Sequence, residues 1–274
     1  MTLIALTSDN HLDLNKVDIA ELVVNQAQFL TQAHVELLLI AGDIANDFGL
    51  TTSYIKNLQA AMPEIPVRFV AGNHDMLRNV TYAQLQGVVM PEYLNHKIYD
   101  VPETNWRIIG GNGWYDYSFA DNLDKKVTDF EHWKRAYWVD GQIEQSISDP
   151  ERLNIELNEI EQLFKQATEK SILFLTHFIP NKKFIRYTDD NRFWNMANGM
   201  MGSTKMEKLI EKYQVKIVHF GHIHDAQTPV KVGSAWYFNQ AVGVHRGKTI
   251  EWHEPSFFDA WKRRLRIINL QDYK

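Results

Sequence analysis

The sequence predicts an α/β fold built on parallel strands. Short, wholly apolar runs recur along the chain, Leu37–Ala41 being the clearest; amphipathic stretches lie between them; and each run stops abruptly in polar residues, several directly after a glycine. A run without apolar/polar alternation is a strand buried on both faces, as parallel sheets require. The carboxyl ends of such strands are where loops converge on a ligand. Gly42–Asp43, at the end of the stretch LLLIAGDIAND, therefore marks the place to look for chemistry. A lone Asp after Gly is more often a helix cap or turn residue. What outweighs that reading is that four other apolar runs also end in metal-ligand residue types.

Leu3 to Leu6 is the first buried strand, and it ends in Ser8, Asp9, Asn10 and His11. Two apart on an extended segment or tight loop, Asp9 and His11 can point the same way and chelate one cation. From Val17 to about Ala33, Ile19, Leu22, Val23, Leu30 and Ala33 recur at helical spacing, giving a helix with one buried face. That helix joins the first strand to Leu37–Ala41 as a right-handed βαβ unit, which sets Asp9, His11 and Asp43 side by side. His34, near the helix end, reads as a surface residue or a partner of the helix dipole. A second helix over about Ser53 to Met62 is stopped by Pro63 and Pro66, and Val67 to Ala71 forms the third strand. It ends in Gly72, Asn73, His74 and Asp75: an amide oxygen, an imidazole, and a carboxylate able to orient that imidazole.

Trp106 to Ile109 is a further strand, followed by Gly110, Gly111, Asn112, Gly113 and the aromatic Trp114, Tyr115 and Tyr117. From there to about Pro150 the pattern is irregular, with Trp133, Tyr137 and Trp138 on a short helix. As a lid or platform this segment would make Trp114 and Tyr115 substrate contacts; packing against the side of the sheet is the plainer role for large aromatics. His96 and His132 have no sequence neighbours suited to chemistry and read as structural. Leu153, Leu157, Ile160, Leu163, Phe164 and Ala167 define another amphipathic helix, and the strand Ser171–Leu175 ends in Thr176 and His177. Residues 178–204 then form a long loop, in which Arg186 and Arg192 are candidates to hold a phosphate and Asn198 is a further polar candidate.

A helix from about Thr204 to Tyr213 leads to the strand Val215–Phe220 and then Gly221, His222, Ile223, His224. Two histidines one residue apart after a glycine have few structural uses, whereas His219 inside the strand reads as a core residue. Short runs at Val230–Val232, Ala235–Asn239 and Thr249–Trp252 suggest an antiparallel meander completing a second sheet. Trp261 to Asn269, with Lys262, Arg263, Arg264 and Arg266, reads as an edge strand protected by charge.

Bulk composition narrows the function classes. With 274 residues and 45% apolar content the chain can bury a sizeable core. The 34 acidic and 29 basic residues, a formal charge of -5, are spread without long single-sign blocks, which argues against binding extended nucleic acid. There is no cysteine, so any metal must take N and O ligands. No stretch has the length of a transmembrane helix, and the first apolar run is too short for a signal sequence, so a cytoplasmic location is expected.

The ordered set Asp9-x-His11, Gly42-Asp43, Gly72-Asn73-His74-Asp75, His177 and Gly221-His222-x-His224 resembles the calcineurin-like metallophosphoesterase family. The resemblance implies a four-layer αββα sandwich, two mixed β-sheets flanked by helices, as one domain over 1–274. An aromatic-rich insertion at about 111–150 and an active-site loop at about 178–204 would elaborate it. It implies a first metal held by Asp9, His11 and His224, a second by Asn73, His177 and His222, and Asp43 bridging them. Two cations a few ångströms apart do need a shared anion. His74 is left outside the ligand set as donor to the leaving group, with Asp75 orienting it. The implied activity is hydrolysis of a small phosphate mono- or diester by a metal-bridging hydroxide. The donor set suits Mn, Fe, Zn, Co or Ni, and the family analogy favours Mn or an Fe-containing, mixed-valence pair. Two other readings compete: a non-catalytic scaffold on the same fold, and a nuclease-type phosphodiesterase. The complete ligand set with His74 and Asp75 weighs against the first and the negative net charge against the second.

Overall fold

A computed structural model describes residues 2–167, 169–189, 192–225 and 228–273. The first βαβ unit forms as expected: β1 (Leu3–Thr7), α1 (Ile19–Gln32) and β2 (Leu37–Ala41), with β1 and β2 parallel. The Asp18 side chain caps α1 by accepting from the amides of Ala20 and Glu21, and His34 closes its far end in a left-handed conformation, φ 54°. Next come α2 (Phe48–Ala61) and β3 (Val67–Val70), which extends the parallel set. α2 begins five residues before the expected Ser53, because Asp47 caps it by accepting from Leu50 N–H at 3.0 Å. Two short elements carry too little periodicity to be anticipated, α3 (Tyr82–Gln86) and β4 (Lys97–Asp100).

The second sheet is built from β5 (Trp106–Gly110), β6 (Ser171–Leu175), β7 (Ile217–Phe220), β8 (Val230–Val232) and β9 (Ala235–Asn239), with β4 at its edge. Its order is β4-β5-β6-β7-β9-β8, and the four inner strands are parallel. Between β5 and β6 lie α4 (Val127–Tyr137) and α5 (Asp149–Lys165). The 178–204 stretch is less of a loop than expected, since it contains α6 (Arg192–Ala197) and leads into α7 (Thr204–Lys212).

The C-terminal expectations need two corrections. The expected antiparallel finish to the second sheet is limited to the β8–β9 pair, since β9 is parallel to β7 and β10 (His245–Arg246) and β11 (Thr249–Ile250) form a separate two-stranded ribbon. Most of the basic run lies on α8 (Phe257–Arg264), capped by Ser256, and only β12 (Arg266–Asn269) is a strand, antiparallel to β1 at the edge of the order β12-β1-β2-β3.

Side-chain parity makes four layers of this. Ile4, Leu6, Leu37, Leu39 and Val70 of the first sheet pack against Ile108, Leu173, Leu175, Ile217 and Phe238 of the second. Alternate residues face outward: Ala5, Leu38, Ile40 and Phe69 meet α1, α2 and α8, while Phe174, Val218 and Phe220 meet α5 and α7. Each fully buried Leu, Ile or Phe stabilises by about 1.5–3 kcal/mol relative to an exposed one, so both sheets are held from two sides. His219 is buried among them as expected, its ring between the carbonyls of Thr7 (3.0 Å) and Phe238 (3.2 Å). His96 is structural too, but it does have a partner, the buried Glu156, at 2.8 Å. No helix among the described residues is long and apolar enough to cross a membrane.

Candidate metal centre

Five parallel strands deliver the candidate ligands. Asp9 and His11 follow β1, Asp43 follows β2, Asn73 and His74 follow β3, His177 follows β6, and His222 and His224 follow β7. The loops are tightly drawn: Asp9, His11, Asp43 and His222 adopt left-handed backbone, φ 52°, 43°, 53° and 70°. For non-glycine residues that conformation is strained, and such strain concentrates at functional sites. Gly72 shows why a side chain is excluded between the loops, since a Cβ there would lie 2.1 Å from Asp43 Oδ1.

Two groups of ligand atoms result, each with its atoms within 4.8 Å of one another: Asp9, His11, Asp43 and His224, and Asp43, His177 and His222. Asp43 belongs to both, its Oδ2 lying 3.8 Å from His11 Nε2 and 3.4 Å from His177 Nε2. Asn73 joins the second group, with Oδ1 3.1 Å from His177 Nε2 and 3.0 Å from His222 Nδ1. Three rings are fixed from outside: His177 Nδ1 donates to Ala41 O (2.8 Å), His222 Nε2 to Met200 O (3.2 Å), and His224 Nδ1 meets Glu251 Oε2 (2.6 Å). Their remaining nitrogens face inward.

These residues fit a pair of cations. His11 Nε2 and His224 Nε2 face each other at 3.0 Å, and two lone pairs so placed need a proton or a cation between them. Asp9 Oδ2 is buried with no hydrogen-bond donor, a costly state that a cation relieves. The charge pattern agrees. Burial would raise the carboxyls of Asp9 and Asp43, yet the surrounding imidazoles hold Asp9 low and Asp43 well below the usual range. Burial would lower His177 and His224, yet the carboxylates beside them push these to about 9 and about 10. Burial, with His177 alongside, takes His222 down to about 3.

His74 lies outside both groups, edge-on to His11 with ring centroids 4.6 Å apart. Its orientation comes from Asn46, whose Oδ1 is 2.7 Å from His74 Nδ1, and not from Asp75. The short turn His74–Met76 aims the Asp75 carboxylate inward, where it accepts from the amides of Ile44, Ala45 and Gly72 and from the Thr51 hydroxyl. Burial and the nearby Asp43 raise Asp75 to about 7. Its task is to brace the loops after β2 and β3.

A cavity of about 940 Å³ opens over the cluster, lined by Asp43, Asn73, His74, His222 and His224, by Tyr137, Trp138 and Trp194, and by Lys183 and Arg186. Of the substrate candidates, Arg186 alone reaches this cavity. Arg192 borders a neighbouring depression with Trp133 and Tyr137, and Asn198 is buried, donating to Arg186 O at 3.0 Å. Trp114 and Tyr115 are core residues: they stack on each other, and Trp114 covers the buried Arg152 guanidinium at 3.4 Å while donating to Asp149. Sequence reasoning missed Asn46, Asp140 and Glu251. Asn46 was within reach, three residues beyond Asp43; the other two sit in stretches without periodic signal.

Comparison with known proteins agrees with this geometry. The family model described as calcineurin-like phosphoesterase matches residues 2–226. No curated protein sequence matches the chain. Among solved structures, a phosphopantetheinyl hydrolase from Mycobacterium tuberculosis aligns with a TM-score of 0.69 at 15% identity, covering 97% of this chain and 95% of that one. A dimetal phosphatase from Danio rerio aligns with a TM-score of 0.53 at 12% identity, covering 87% and 86%. At such identities the likeness is one of fold. With the family match spanning most of its length, the chain belongs to the calcineurin-like phosphoesterase family.

Proposed function

We propose that this protein hydrolyses a phosphodiester, one ester group of which lies against the wall formed by Tyr137, Trp138 and Trp194. The observation that carries this is the cavity: at about 940 Å³ it has room for far more than a phosphate, and the metal cluster forms one side of it. Family membership and a fold shared with a phosphopantetheinyl hydrolase and a dimetal phosphatase support phosphoester chemistry.

Asp9, His11 and His224 would hold one ion and Asn73, His177 and His222 the other, with Asp43 common to both. When bound, two such ions supply Lewis acidity toward phosphoryl oxygens and make water a nucleophile near neutral pH. Mn or an Fe-containing pair suits these N and O donors, as do Zn, Co and Ni. His74 contributes a proton position: Asn46 engages Nδ1, which leaves Nε2 for the leaving oxygen. Lys183 and Arg186 are exposed on the same wall, and a second anionic group on the substrate would find them there.

The test is turnover of bis-p-nitrophenyl phosphate against p-nitrophenyl phosphate by metal-stripped protein resupplied with Mn, Fe, Co, Ni or Zn. Metal-restored activity on the diester, reduced more than about a hundredfold in Asp43→Asn, is expected, since even residues behind the ligands contribute 10–100-fold. A preference for the monoester, or inertness with metal bound, would overturn the reading.

A further inference from the structure

Each candidate ligand turns one face away from the cluster, and what holds that face differs. Backbone carbonyls of Ala41 and Met200 hold His177 and His222. Carboxylates hold two others, each from a stretch that supplies no ligand. Asp140 Oδ1 accepts from Asn73 Nδ2 at 2.7 Å, and Glu251 Oε2 lies 2.6 Å from His224 Nδ1. Asp140 belongs to the turn after α4, and Glu251 follows β11, beyond the residues matched by the family model.

We propose that Asp140 and Glu251 are positioning residues that divide the centre between them. Asp140 serves the half built on Asn73, His177 and His222, and Glu251 the half built on Asp9, His11 and His224. This rests on the centre binding two ions.

An ionised carboxylate only accepts hydrogen bonds, so Asp140 admits the amide nitrogen of Asn73 and excludes its oxygen. The oxygen is thereby turned to the cluster, between His177 Nε2 and His222 Nδ1. A reversed amide would aim N–H donors at the place where a cation needs a lone pair. Glu251 acts likewise on His224: by accepting from Nδ1–H it leaves Nε2 as the nitrogen directed inward, 3.4 Å from Asp9 Oδ1.

Glu251 is itself held in place. Its Oε2 accepts from Val244 N–H at 2.6 Å, and Gly243, φ +85°, leaves the room, since a Cβ there would lie 2.7 Å from that oxygen. Asn15 ties this turn to the Asp9 loop: its Nδ2 donates to Asn10 O (2.9 Å) and Gly243 O (3.0 Å), and its Oδ1 accepts from His245 N–H (2.8 Å). Gly243 N–H in turn donates to Asp9 O at 3.0 Å. The carboxylate is thus in register with the loop carrying the ligands it serves.

The experiment titrates the stripped full-length protein with Mn2+ alone by calorimetry, and counts bound metal after desalting. His222→Ala disables one half and His224→Ala the other, so each background reports a single site. In the His222→Ala background Glu251→Ala should weaken Mn2+ binding by about 10–100-fold, the range for residues behind a metal ligand. Asp140→Ala should change it there by less than about twofold, as distant sites add independently. In the His224→Ala background the two effects should exchange. Glu251→Gln, whose amide oxygen Val244 N–H keeps facing Nδ1, should recover most of the loss, whereas Asp140→Asn, whose amide has no such donor among the described residues to orient it and can turn its own N–H toward Asn73, should not. Weakening of both halves alike, or of neither, overturns the assignment. Where an alanine variant loses its metal-free melting transition, Asp140→Asn carries the test: it should weaken Mn2+ binding in the His224→Ala background and leave it within about twofold in the His222→Ala background, and equal weakening in both, or none in either, counts against the proposal. Wild-type protein that binds fewer than two ions overturns the two-ion reading itself.

Discussion

The two halves of the centre share Asp43 but are built to different standards of rigidity. Around Asn73, His177 and His222 the outer nitrogens of both imidazoles rest on main-chain carbonyls, and the His177 side chain is wholly buried. In the other half Asp9 and His11 are buried and Asp9 Oδ1 accepts from His222 N–H, but His224 is held by a side chain beside a surface ribbon: His224 is 21% exposed and Glu251 30%. A ligand held by main chain moves only with that backbone, β2 at Ala41 or the turn Asn198–Met200. One fixed by a partly exposed carboxylate answers to solvent, pH and mutation. Ion exchange should therefore be faster, and substitution more consequential, in the Asp9 half.

His74 gives the largest expected effect and checks that the division into halves is complete. If it belongs to neither, His74→Ala retains two ions by elemental analysis while kcat falls about 10²–10⁴-fold, the contribution of general acid catalysis. Loss of one ion in that variant would place His74 inside a half and break the comparison.

Proton competition sharpens it. His177 and His224 carry raised pKa values, about 9 and about 10, so in metal-free protein at neutral pH both are protonated and an entering ion must displace a proton from each half. Affinity should climb by about one decade per pH unit for each proton displaced, and level off as pH passes the pKa of the half concerned. Both halves should therefore go on gaining affinity from neutral into alkaline pH, His177 being raised to about 9 and His224 to about 10. Calorimetric titrations from neutral to alkaline pH in the His222→Ala and His224→Ala backgrounds would read each half separately; a half whose affinity does not change with pH displaces no proton and breaks the comparison.

Arg186→Ala is the smallest effect. Arg186 is exposed and lines the cavity without entering either half, so KM for a diester with a second anionic group should rise by about tenfold at most, with kcat little changed. A change in metal content would show that the cavity wall and the centre are not separable.

Much of this site was legible because its ligands sit where patterns change. An apolar run that stops at glycine announces a strand end, and parallel strands put their ends together, so Asp9, His11, Asp43, Asn73, His177, His222 and His224 could be gathered before any coordinates. Adjacency misled at Asp75. A neighbour in sequence suggested a partner for His74, but the short turn there sends consecutive side chains apart, and Asn46, from the loop after β2, takes the role. Asp140 and Glu251 were illegible for a related reason: each acts through one hydrogen bond made from an irregular stretch, and no periodicity marks it. For the aromatic stretch packing was the plainer reading and it holds, but the partners, Arg152 for Trp114 and Phe178 for both Trp114 and Tyr115, are contacts that tertiary structure alone creates. In the basic C-terminal run, charge concealed a helix that Ser256 caps.

The placement of His222 and His224 after β7 bears on when this protein can acquire metal during its synthesis. Each half takes one of these two histidines, so a nascent chain that has not yet exposed residue 222 to solvent lacks a candidate ligand on both sides of Asp43. Glu251 and β12, which closes the open edge of β1, emerge later still. The strands that carry the earlier ligands can pair while translation continues, but the ion pair has to wait for β7 and the loop behind it. Metal choice is thus made only after both sheets have their ligand-bearing strands, from whichever ions the surroundings hold at that moment.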